Sequence, residues 1–156
     1  MPLANSCIGQ VHFTGKLSKQ TLELIYSFSD IGILPSRYEQ CSYVVLEMIK
    51  HKVPLIISNA PGLNELVEHG YSGLICNVLP NEETNELDID EHDLACQIKL
   101  LLDHPDYAMD MADKAYNKGR EMFSLTGMGE GSLNIYKQLL GIETLSLSHV
   151  FTTQSI

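Results

Sequence analysis

The stretch "PSRYEQCSYVVLE", residues 35 to 47, sets Glu39 and Glu47 eight positions apart, with a polar turn running into branched apolar residues. Glu47 follows Val44, Val45 and Leu46, where the chain reads as buried. A carboxylate taken out of water needs a partner or a ligand. If a helix begins near Ser42, its unpaired amides around Cys41, Ser42, Tyr43 and Val44 form a ready anion site. Glu47 then lies about one turn into that helix. A carboxylate there can accept hydrogen bonds from both hydroxyls of a ribose. The chemistry suggested is the binding of a ligand that carries a phosphate and a sugar diol.

Such residues need a scaffold, and the order of elements supplies one. "QVHFTG" reads as a short strand ending at Gly15, and Ser18 caps a helix through about Phe28, with Leu22, Ile25 and Phe28 on one face. "DIGILPS" reads as a buried strand stopped by Pro35, followed by a helix from about Ser42 to His51. "PLIIS" is the next strand, and "NAPG" leads to a short helix, Leu63 to His69, closed by Gly70. "SGLICNV" is a further strand. Helices follow over 91–103 and 106–122, divided at His104-Pro105, and a last one runs from about Gly129 to Leu140. Alternating strands and helices with short loops predict an α/β fold, a Rossmann-like parallel sheet covered by helices. In such sheets ligands bind beyond the carboxyl ends of the strands, where the loop Pro35 to Cys41 belongs. Residues 1–10 are expected to be a flexible start, 11–140 the domain, and 141–156 a frayed tail.

Composition narrows the classes. At 156 residues, 44% apolar and 19% charged, the chain fits one soluble globular domain. No apolar run reaches the length needed to cross a bilayer, "MPLANSCIGQ" is not expected to be a signal peptide, and the expected location is the cytoplasm, with the full-length protein peripheral at the inner membrane face as an alternative. A formal net charge of -10 with no basic patch argues against nucleic acid. The acidity gathers in "NEETNELDIDEHD", residues 81 to 93, with seven carboxylates and no lysine or arginine, read as a solvated loop leading into a helix. Cys7, Cys41, Cys76 and Cys96 show no CxxC spacing and the six histidines no HExxH pair, so no metal is expected. Cys41 reads either as a reactive thiol at a helix start or as a small packing residue.

At this point the residues resemble a known family. Glu39 and Glu47 match the E-x7-E motif of retaining GT-B glycosyltransferases, most closely family 4, the glycosyl transferases group 1. "VHFTGKLSKQTLELIYSFSDIGILPSRYE" is similar to that family's strand, glycine, helix, strand and "PS.yE" order. "VPLIISNAPGLNELVEHGYSGLIC" is similar to its "g.PvI.s..gG..E.v..g.tGll". The likeness runs from about Val11 to Leu140. It implies the C-terminal donor-binding domain, in which Glu39 lies against the donor sugar as the catalytic carboxylate. It further implies that Gln40, Cys41, Ser42 and Tyr43 bind sugar and diphosphate, that Glu47 holds the ribose, and that Lys16 and Leu17 lie near the base. Glu65 matches a recurrent glutamate expected to fix a loop. The partners implied are a nucleoside-diphosphate sugar and a glycan or lipid-linked acceptor, with no cofactor.

Departures from the family pattern are specific. Gln40-Cys41-Ser42 stands where an aromatic and a glycine are common, which leaves donor choice open. "MIKHK" is bulkier than the usual small-residue turn. The basic pair that grips the diphosphate is missing, because "GKLSKQ" comes too late in the order, and the acceptor-binding domain is missing too. The expectation is therefore the later part of a donor domain, an excised piece or a truncated gene product, inactive alone. Two other readings remain at this stage. One is a non-catalytic nucleotide-binding module that self-associates through an open sheet edge, the other an epimerase-like enzyme on the same fold. "DID" at 88–90 is read as chance within the acidic stretch. "TGK" at 14–16 lacks P-loop spacing, and "GMGEG" at 127–131 follows no strand.

Overall fold

The structure is a computed structural model that describes residues 11–40, 42–84 and 86–141. Residues 1–10 and 142–156, expected to be a flexible start and a frayed tail, and Cys41 lie outside the described residues.

The strand β2 (Leu55–Ser58) is buried along its whole length. Side chains on a strand alternate between faces. Leu55 and Ile57 accordingly enter one hydrophobic cluster and Ile56 the other. Burying each contributes about 1.5–3 kcal/mol. A strand apolar on both faces belongs inside a sheet with layers on either side. That is its position: β1 (Gly32–Leu34) and β3 (Leu74–Cys76) flank it in parallel, with Gly32 opposite Leu55 and Ile56 opposite Leu74. The expected α/β architecture, a parallel sheet covered by helices, is what the chain forms.

On one face, α1 (Lys19–Ser27) and α2 (Tyr43–Lys50) bury Tyr26 and the helically spaced Val45, Met48 and Ile49 against Leu55 and Ile57. Ser18 caps α1 by accepting from the Thr21 amide, and Ser42 caps α2 by accepting from the Val45 amide. A side chain at Gly32 would overlap Met48 Sδ and press on Val53 Cγ1, so β1 and α2 meet through an unsubstituted position. On the other face Ile56 meets Leu101 of α3 (Glu91–Asp103) and Ala108 and Met111 of α4 (Pro105–Met122). Pro105 opens α4, where its missing N–H costs nothing. α5 (Leu125–Leu140) is capped by Ser124 at one end and by the left-handed Gly141 at the other, and none of its residues is buried.

Four expectations are corrected. Residues 12–17 form no strand, Val11 alone holding a bridge position there. Residues 61–66 are successive turns rather than a helix. Leu63 and Leu66 donate to carbonyls three residues back, and Ser72 Oγ takes the Glu68 amide at 2.8 Å. Buried Leu63, Leu66 and Val67 give that stretch its helix-like spacing, but packing of isolated turns satisfies it. The acidic stretch is not a plain loop: β4 (Val78–Pro80) and β5 (Leu87–Ile89) pair as an antiparallel hairpin. The last helix starts at Leu125, four residues earlier than expected, because Ser124 accepts from the Gly127 amide and stops α4 from running on.

Candidate functional site

The loop after β1 carries Glu39, and three ties hold it. Ser58, at the carboxyl end of β2, donates its hydroxyl to the Ser36 carbonyl. Arg37 reaches the hairpin, with Nη1 2.7 Å from Glu86 Oε2 and Nη2 2.6 Å from Asp88 Oδ1. Gly62, with φ of 85°, lies so close that a Cβ would strike the carbonyl oxygens of Glu39 and Gln40. A positive φ and that contact both require glycine.

So held, Tyr38, Glu39 and Gln40 line an open hollow of about 670 Å³ together with Tyr43 and Pro61. Tyr43 is the first residue of α2, so the hollow meets the positive end of that helix. Glu39 is half-buried, and its Oε1 accepts from the Gln40 amide at 3.2 Å. Among the described residues, no ion pair involves Glu39 or Glu47. Side-chain hydroxyls and amides at the mouth, with one carboxylate and helix amides, suit a polar ligand bearing negative charge.

Glu47 is also half-buried, but it is not among the residues lining this hollow. Its Oε2 accepts from the Tyr26 hydroxyl at 3.4 Å. Tyr26 is buried, with its ring tilted against His51 at 5.7 Å between centroids. Burial, first, and then the charge and hydrogen bond of Glu47 push the Tyr26 hydroxyl above its ordinary value. The phenol therefore stays protonated and keeps donating, which leaves Glu47 Oε1 for another donor.

The hollow thus unites Glu39, Gln40 and Tyr43 of the sequence-derived set. Ser42 is buried and serves as the cap of α2. Exposed Lys16 and half-buried Leu17 stand in the irregular segment ahead of α1 and do not line it. Glu65 is exposed on the turns after Pro61. Sequence reading missed Tyr38 and Pro61 as lining residues, and Arg37 and Tyr26 as supports. For Arg37 there was a signal: a base beside Glu39 in a chain whose acidic stretch offers seven carboxylates and no base of its own.

Residues 4–118 match the family model described as glycosyl transferases group 1. The chain belongs to that family. Among curated relatives, the alpha-D-kanosaminyltransferase of Streptomyces kanamyceticus is 30% identical over 83% of this chain and 31% of its own length. The sucrose-phosphate synthase of Thermosynechococcus elongatus superposes with a TM-score of 0.68 at 24% identity, covering 85% of this chain and 31% of that one. Anabaena HepE, solved in complex with UDP and glucose, gives 0.66 at 20% identity, covering 85% and 34%. At those identities the likeness speaks for the fold, which is of GT-B glycosyltransferase type. This group 1 domain spans about a third of the length of each of these proteins.

Proposed function

We propose that this chain is donor-binding machinery of a retaining glycosyltransferase of family 4. The whole protein would move a sugar from a nucleoside-diphosphate sugar to a glycan or lipid-linked acceptor in the cytoplasm. The observation that carries the reading is the hollow at the carboxyl end of β1, where Glu39, Gln40 and Tyr43 meet the start of α2. A parallel sheet binds its ligand at that end.

In this reading Glu39 faces the donor sugar and stabilises the positive charge that develops on the ring as the bond to phosphate breaks. The departing phosphate takes the acceptor proton on the same face, so the anomeric configuration is retained. Amides at residues 41–43 carry diphosphate charge at the positive end of α2. Glu47 holds the ribose hydroxyls through Oε1 while Tyr26 fixes Oε2. Lys16 and Leu17 border the base. No metal or other cofactor has a part in it, and the basic pair for the diphosphate and the acceptor site come from the remainder of the protein, so the chain by itself is inactive.

Radiolabelled-sugar transfer by full-length protein tests this. Glu39→Ala should lower kcat by about two to three orders of magnitude, the scale of a lost charge-stabilising group. Glu47→Ala should instead weaken nucleotide binding about tenfold, as for a lost charge-assisted hydrogen bond. Unchanged turnover in both variants would rule the assignment out.

A further inference from the structure

We propose that Arg37, acting through Glu86 and Asp88, is the positioning residue for the sugar-facing loop, which makes the β4–β5 hairpin a working part of the site. This rests on the donor-binding reading above. Arg37 stands two residues before Glu39, and its guanidinium spans two carboxylates that belong to one hairpin. A planar fork with fixed donors matches that pair of acceptors in a way a lysine cannot.

One of the two acceptors, Asp88, is also held independently of the arginine. Asp88 Oδ2 takes a hydrogen bond from Asn81 Nδ2 at 2.6 Å. Asn81 Oδ1 in turn accepts from the amides of Glu83 and Thr84 at 2.9 and 3.1 Å, and the Asn81 amide donates to the Glu86 carbonyl at 2.8 Å. One asparagine therefore knits the hairpin turn and aims Asp88 at Arg37. The hairpin is anchored at its base, where the Asp90 amide donates to the Asn77 carbonyl, and Asn77 is held by Asp93 of α3.

Global stability is not what this bridge provides. The side chains of Arg37, Glu86 and Asp88 keep 50%, 57% and 38% of their exposure, and ion pairs so open to water add little to folding. What the bridge does fix is direction. Ser58 and Gly62 hold the loop's backbone from the sheet side, at Ser36 and at Glu39–Gln40. Arg37, between those points, is pulled towards the hairpin. Three ties that do not share a partner define the orientation of Tyr38 and Glu39 in the hollow.

Hydrogen exchange on the 156-residue chain tests this without any ligand, using Arg37→Ala and Arg37→Lys. Amides of residues 36–44 should exchange about fivefold faster in Arg37→Ala, the scale of a lost exposed network, while those of β2 keep their rate. The lysine should recover only part of the protection. An unchanged loop in Arg37→Ala, or acceleration spread evenly over β2, overturns the proposal. Calorimetry with UDP-glucose and with UDP adds a second readout. Arg37→Ala should weaken UDP-glucose about fivefold and leave UDP unaffected, because the clamp acts on the sugar end. Where the wild-type chain binds no UDP-, GDP- or ADP-sugar, the exchange rates decide the clamp by themselves, and the donor-site reading is decided by the transfer assay on full-length protein. Wild-type binding that is matched by Arg37→Ala, with unchanged exchange, removes the clamp and leaves the donor site standing.

Discussion

Glu39 and Glu47 are the same side chain held in two different ways. Glu39 sits on a loop fixed by its backbone: a serine takes one carbonyl, and a glycine leaves room for two more. Among the described residues its carboxylate reaches no side-chain partner, and it lines an open hollow. Glu47 sits on a helix whose backbone needs no help, and it is the carboxylate itself that is held, by a buried phenol. Under the proposed reading, the group that meets changing charge is left free on a rigid support, and the group that grips a constant diol has one oxygen pinned in advance. The difference teaches that rigidity can be placed in the chain or in the side chain, according to the task.

The comparison can be broken most forcefully at Gly62. Gly62→Val combines a left-handed φ with a collision against the Glu39 and Gln40 carbonyls, and should cost about 3 kcal/mol. Urea unfolding measures it, and a loss under about 0.5 kcal/mol would mean that backbone packing does not hold the Glu39 side. Ser58→Ala comes next. It leaves the Ser36 carbonyl without its buried donor and should cost about 1–2 kcal/mol. Both changes act on the Glu39 side and should leave the fluorescence titration of Tyr26 where it was.

The smallest effect falls on the other side. Tyr26→Phe removes the donor to Glu47 and should cost about 1 kcal/mol at neutral pH. It also carries a pH signature. The Tyr26 hydroxyl is raised above 10.0, so the folded state holds that proton more tightly than the unfolded one. Its contribution is complete below the ordinary tyrosine range and falls away as pH rises through the folded value. Stability followed between about pH 9 and pH 11 should decline less steeply in Tyr26→Phe than in the parent. Parallel declines would show that Glu47 does not draw on this phenol.

Much of the scaffold was legible because it rests on local pattern. Ser42 before Val45, Met48 and Ile49 specifies where α2 begins and which face it buries, and "PLIIS" can only be a strand covered on both sides. The same local order showed that a loop follows Pro35 at the carboxyl end of a strand. What escaped was long-range or mimicked something else. The partners of Arg37 lie 49 and 51 positions away, and Tyr26 lies 21 before Glu47, separations to which no periodicity speaks. Leu63, Leu66 and Val67 copy a helical stripe, yet a glycine at φ 85° ahead of them and Ser72 behind divert the backbone into turns. Carboxylates at 86 and 88 looked merely solvated because their base comes from another part of the chain.

Gly32 has a mechanical consequence. With no side chain of its own, it brings Met48 of α2 down onto β1, whose far end launches the Glu39 loop. Strand and helix are in this way geared together at their point of nearest approach. A methyl group introduced there would act as a shim, tilting the helix that carries Glu47 relative to the strand that feeds Glu39, and so alter the spacing between the two carboxylates without touching either.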